Sequence, residues 1–193
     1  MMNTITRRWI TRLWALVVAL AALGATMNAQ AASCEMQLSE NTVDYGQLNR
    51  AELEVSSVPN SDVLLGKRRL TLNVICEQST DIALRFNATP AQGGGYMFAD
   101  QGDFTVLMSN ATLDGNTVAL AKTDATGRSI QGAAANQYVE PGRGVAAVSG
   151  STPARGKHFV VGLEIEASMP HSAMRVRGET RWEGLGQLEL ISQ

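Results

Sequence analysis

Aromatic side chains are scarce in this sequence, 5% of its 193 residues, and it holds two histidines and two cysteines. So few imidazoles and thiols leave little for a metal centre, and neither His158 nor His171 has a Cys, Asp or Glu at zinc-ligand spacing. There is no G-x-S-x-G elbow. The glycine clusters at 93–95 and 142–144 neither open a helix nor precede a Lys-Ser or Lys-Thr pair, so they are turns and not phosphate loops. A basic excess is missing too: 16 Lys and Arg stand against 18 Asp and Glu, a net charge of −2, which excludes the footprint of a nucleic-acid binder. These absences predict a chain that is not an enzyme and carries no cofactor or metal.

What is present begins with the first 31 residues. Arg7, Arg8 and Arg12 precede a 13-residue apolar run at 13–25, and no acid occurs before Glu35. The run is shorter than the roughly 20 residues that span a bilayer, and Ala29-Gln30-Ala31 has the small-x-small form of a signal-peptidase site. We therefore read residues 1–31 as a secretory signal peptide, against the alternative of an uncleaved anchor, and residues 32–193 as a single domain. The mature chain loses those three arginines, which leaves 13 basic residues against 18 acidic and a net charge of −5. Export puts Cys34 and Cys76 in an oxidising compartment, where an even pair is expected to form a disulfide. Closing a loop of about 43 residues would constrain the unfolded chain by roughly 4 kcal/mol. A pair of buried free thiols is the competing expectation.

Beyond the signal, apolar residues recur with period two, the mark of strands with one buried face. Cys34, Met36 and Leu38 share a phase, as do Leu70, Leu72, Val74 and Cys76, so each cysteine lies on the inward face of its own strand. Ile82, Leu84 and Phe86 follow the same rule, as do Phe104, Val106 and Met108, and Phe159, Val161, Leu163 and Ile165. Asp114-Gly115 between two such runs is a strong hairpin signal. Residues 122–137, rich in small polar residues without periodicity, read as a long surface loop. Short strands, frequent turn signals and no segment of helical period predict an all-β, antiparallel, immunoglobulin-like sandwich.

Two sets of residues are of the types that carry chemistry. Glu164 and Glu166 form an i, i+2 carboxylate pair, but on the polar phase of a strand they are expected to be solvated. Tyr96, Phe98 and Tyr138 lie near glycine-rich loops, where a sugar platform competes with ordinary core or loop packing. At the carboxyl end, Trp182, Gly184, Gly186, Leu188 and Leu190 share one phase, with Arg181, Glu183, Gln187 and Glu189 on the other. Such a last strand either closes its sheet or is left as an exposed edge.

Several phrases together resemble a known family. They are an Ala-x-Ala signal followed at once by a cysteine, Thr42-Val43-Asp44-Tyr45-Gly46-Gln47-Leu48, Leu65-Gly66-Lys67-Arg68-Arg69-Leu70-Thr71-Leu72, Asn73-Val74-Ile75-Cys76, and Arg175-Val176-Arg177-Gly178-Glu179-Thr180. The chain resembles a chaperone–usher fimbrial (pilus) subunit of the β-fimbrial branch. Pilins of this kind often end with an aromatic residue one before last and carry a glycine fourteen from the end. Ser192 and Thr180 occupy those positions here.

The resemblance implies a pilin-like sandwich that lacks its final strand and is completed by a donated one. The implied partners are a periplasmic chaperone, an outer-membrane usher, other fimbrial subunits and a possible host or surface receptor. The implied strand-contact residues are Trp182, Gly184, Gly186, Leu188, Leu190 and the terminal Gln193. The implied localisation is passage through the periplasm to a surface fimbria. With cleavage after Ala31, two residues precede Cys34, a reach of about 7 Å, so the chain is expected to accept a strand without donating one in the usual way. The alternative reading is a self-contained periplasmic or secreted sandwich that binds a ligand such as carbohydrate.

Overall fold

The computed structural model describes residues 33–47, 62–175 and 178–191. Residues 1–31, expected to be a signal peptide, and the expected contact residue Gln193 lie outside the described residues. The described residues belong to one compact unit spanning 32–193.

No helix occurs among the described residues, and the strands stack as two antiparallel sheets in an immunoglobulin-like β-sandwich. The first sheet runs β1 (Cys34–Leu38), β2 (Val63–Asp81), β12 (Arg155–Met169), β5 (Gly102–Leu113), β4 (Tyr96–Phe98). Two short strands, β6 (Asn116–Thr117) and β9 (Gln137–Tyr138), also pair with β5. The second sheet runs β13 (Gly186–Leu190), β3 (Ala83–Ala88), β10 (Gly144–Ser149), β7 (Ala119–Thr123), β8 (Gln131–Ala134), with β11 (Thr152–Pro153) beside β10.

Alternation explains the core. Leu70, Leu72, Val74, Phe159, Val161, Leu163, Phe104, Val106 and Met108 are all buried on the inner face of the first sheet. Each such side chain contributes about 1.5–3 kcal/mol by leaving water. Leu84, Val145, Ala147 and Leu120 face them from the second sheet. One residue, Ile82, carries the chain from β2 into β3 and thus from one sheet to the other.

The strands are longer than the local pattern suggests, with β2 at 19 residues and β12 at 15. In β5 the inward set switches from Phe104, Val106 and Met108 to Ala111 and Leu113. A bulge makes the switch: β12 advances from Val160 to Gly162 while its partners step from Thr112 to Ser109. Asn110 takes up the extra residue at φ +53°. At the end of β5, Asp114 and Gly115 both have positive φ, the backbone a type I′ turn requires. The Asp114 carboxylate accepts the Lys157 and His158 amides, which holds it below the usual carboxylate range and ties the turn to the bulged start of β12.

The stretch 122–137 is not one long loop. It holds β8 and the start of β9, and its loop at 124–130 folds over the outer face of the second sheet. There Asp124 Oδ1 accepts the Thr126 hydroxyl, the Thr126 amide and the Arg128 amide, and this lowers its pKa to about 2. Small residues explain the packing: Ala83, Ala121, Ala146 and Val148 form a shallow outer core, covered by Ile130 and Ile191.

Candidate functional site: the open edge of the last strand

Cys34 and Cys76 are bonded to each other and face one another directly in the β1–β2 register. The bond fastens the edge strand of the first sheet to its longest strand. It decides between the two expectations for the thiols in favour of the disulfide.

The C-terminal segment is divided into two parts. Gly186, Leu188 and Leu190 lie on β13, opposite Ala88, Phe86 and Leu84 of β3. Trp182 and Gly184, expected on the same strand, precede it in irregular backbone. The physical reason is local: the Ala99 amide donates to the Glu183 carbonyl at 2.8 Å, and Gly184 sits against the Phe104 ring. The segment is thereby held at the β4–β5 turn and not beside β3.

The direction of the main-chain groups on β13 follows from one hydrogen bond. The Ile191 amide donates to the Ala83 carbonyl at 2.8 Å, so this pair is a hydrogen-bonded one. Alternation in an antiparallel ladder then directs Gln187 and Glu189 toward β3 as well. The amides and carbonyls of Gly186, Leu188 and Leu190 point the other way. Among the described residues β13 pairs with β3 alone, so these three residues offer an unpaired edge. Leu188 and Leu190 also turn their side chains to the core.

β1 has the same character. The Ser39 amide bonds the Thr71 carbonyl and the Glu77 amide bonds the Ser33 carbonyl. The main-chain groups of Cys34, Met36 and Leu38 are accordingly turned away from β2. In the strand orders β1 stands beside β2 and β13 beside β3, so among the described residues each sheet ends next to the β2–β3 connection in a strand with one open edge. Met36 faces inward on β1 yet remains 39% exposed. Leu188 and Leu190 are only half-buried against the core. Sequence reasoning placed Met36 and Leu38 in the core and missed them as an edge, because alternation reports which face is apolar and not which side of a strand is paired.

Aromatic packing shapes the start of β13. A Cβ on Gly186 would run into Phe86 Cζ, so the ring occupies the space that a side chain would need. Phe86 in turn meets Tyr96 and Phe104 edge-on at 4.9 and 5.9 Å. Tyr96 is fully buried, its hydroxyl bonds the Phe86 carbonyl, and burial pushes its pKa up to about 12. On the outward face, Arg85 pairs with Glu189 at 2.6 Å and also donates to the Ala125 carbonyl, which links β13, β3 and the 124–130 loop. The Arg85 hydrogen bond, followed by one from Asn87, holds Glu189 below the usual carboxylate range.

The other candidates fall elsewhere. Glu164 and Glu166 lie on the outer face of the first sheet, where Lys67 reaches Glu164 at 2.7 Å and Glu166 at 3.6 Å, and Arg69 reaches Glu164 at 3.0 Å. The Lys67 hydrogen bond keeps Glu164 ionised, so it is not poised to donate a proton near neutrality. Tyr96 and Phe98 are core residues and Tyr138 stands apart on the outer face, so the three do not form a platform. No group of three metal-ligating side chains occurs among the described residues. No protein-family model matches the sequence, and no curated protein matches it.

Proposed function

We propose that this chain is a structural or adhesive subunit of a bacterial surface fimbria, exported through the periplasm, whose sandwich is completed by a strand from a partner. The observation that carries the reading is the edge of β13, where Gly186, Leu188 and Leu190 direct unpaired amides and carbonyls outward. An added strand would gain main-chain hydrogen bonds there, each worth about 1 kcal/mol net. Its alternate side chains would cover Leu188 and Leu190, and the half-exposed Met36 on the neighbouring edge. This is strand addition, in which the backbone supplies affinity and the side chains supply register.

The partners in this reading come from the resemblance to chaperone–usher subunits: a periplasmic chaperone first, then an outer-membrane usher and a neighbouring subunit. Leu188→Pro tests it. The Leu188 amide does not serve the β3 ladder, so proline leaves that ladder intact while removing a donor from the open edge and obstructing it. Coexpressed with a fimbrial chaperone, the Leu188→Ala chain is expected to remain in complex and the Leu188→Pro chain to lose it. Retention of the complex by Leu188→Pro, or a wild-type chain that is soluble and monomeric without any partner, contradicts the proposal.

A further inference from the structure

Five methionines follow residue 31, and the fold divides them into two groups. Met108, Met169 and Met174 are buried in the core, whereas Met36 and Met97 are 39% and 37% exposed. Met97 points outward from β4, at the far end of the first sheet. Met36 lies on the open-edge strand β1, in the phase of Cys34 and Leu38, both of which pack against the core. That strand is fixed at both ends, by the Cys34–Cys76 bond and by a reciprocal pair of hydrogen bonds between Ser39 and Thr71. The Met36 thioether is thereby held in water on a face that is otherwise apolar, and movement of β1 does not withdraw it.

An accessible thioether is open to two-electron oxidation. Its sulfur lone pair attacks one oxygen of hydrogen peroxide, the S–O bond forms as the O–O bond breaks, and the other oxygen leaves as water. Sulfur loses two electrons and peroxide gains them. The product is a sulfoxide, polar where the thioether was apolar. At Met97 the new oxygen stays in solvent. At Met36 it becomes a strong acceptor on the surface that an added strand would bury, and burying a polar group without a donor is costly.

We propose that Met36 is an oxidative modification site whose sulfoxide closes the open edge to strand addition, until two thiols remove the oxygen as water and become a disulfide. The inference rests on the strand-addition reading given above and assigns a redox regulation to that same edge.

The test is a hydrogen peroxide pulse on cells exporting the chain together with the fimbrial chaperone used for Leu188→Pro. Chaperone-bound and unbound chain are separated, and sulfoxides are located by peptide mass spectrometry. Met36 sulfoxide is expected to be about tenfold enriched in the unbound chain, as one buried unsatisfied polar group requires. Met97 sulfoxide should divide evenly between the two. Without peroxide, Met36→Gln, a polar stand-in for the sulfoxide, should lower the recovered complex about tenfold on the same ground. Met36→Leu, which has no thioether, should keep the complex and make it indifferent to the pulse. Even division of Met36 sulfoxide, a Met36 that stays unoxidised while Met97 reacts, or equal complex from Met36→Gln and Met36→Leu overturns the inference alone. The sulfoxide distribution is read on the wild-type chain, so it stands even if Met36→Gln disturbs folding. No complex from the wild-type chain overturns the strand-addition reading, and the inference with it.

Discussion

Two residues decide how the C-terminal segment is held, and each gives a measurable consequence. Gly186 has no Cβ because the Phe86 ring already fills that position. Gly186→Ala should lower stability by about 1–3 kcal/mol, the usual cost of overpacking, in thermal unfolding of residues 32–193. Adding Phe86→Leu should recover part of the loss, and strictly additive losses would show that the two residues do not compete for space. Asp124 organises the loop over Ile191 through three hydrogen bonds to its carboxylate. Its folded pKa of about 2 lies below the unfolded value of about 3.9. The stabilisation is therefore complete above about pH 4 and is lost as pH falls toward about 2. Exchange protection at the Thr126 and Arg128 amides should decline over that window, and the decline should be absent in Asp124→Ala. An identical profile in the variant would assign the loop's order to other contacts.

At the level of elements, the inward residues of β2, β12 and the first half of β5 were legible from period-two alternation, because burial on one pleated face leaves that signature. The Asp114-Gly115 turn was legible because few residue pairs accept positive φ twice. The bulge at Asn110 was not, since it flips the inward phase within a single strand and reads locally as the end of one. β8 was hidden for a different reason: Gln131–Ala134 is exposed along its whole length, so no face carries an apolar pattern. Trp182 and Gly184 share the phase of β13, but hydrogen bonding at Ala99 overrides periodicity there. The Cys34–Cys76 bond ties the exposed-edge strand β1, five residues long, to β2. Cys34→Ser or Cys76→Ser should cost about 2–5 kcal/mol in urea unfolding. A change well below that would mean that pairing with β2 alone holds β1 in place.

On the scale of the whole sandwich, the described residues form a continuous core with two open edges beside the β2–β3 connection. Exposed edges are a liability that natural sheets cover, shorten or charge. On β13 the open edge instead carries Gly186, Leu188 and Leu190, while the charged Glu189 is directed to the outward face and held by Arg85. That arrangement suits an edge meant to be paired, and the proposed function rests on it. The most direct test is residue-resolved amide exchange on the chain in its assembled form, isolated with its partner strand. Gln187, Glu189 and Ile191 are protected by β3 in any case. The account predicts that Gly186, Leu188 and Leu190 are protected to the same degree. Fast exchange at those three amides, alternating with slow exchange at their neighbours, would show that no strand lies along the edge and would contradict it.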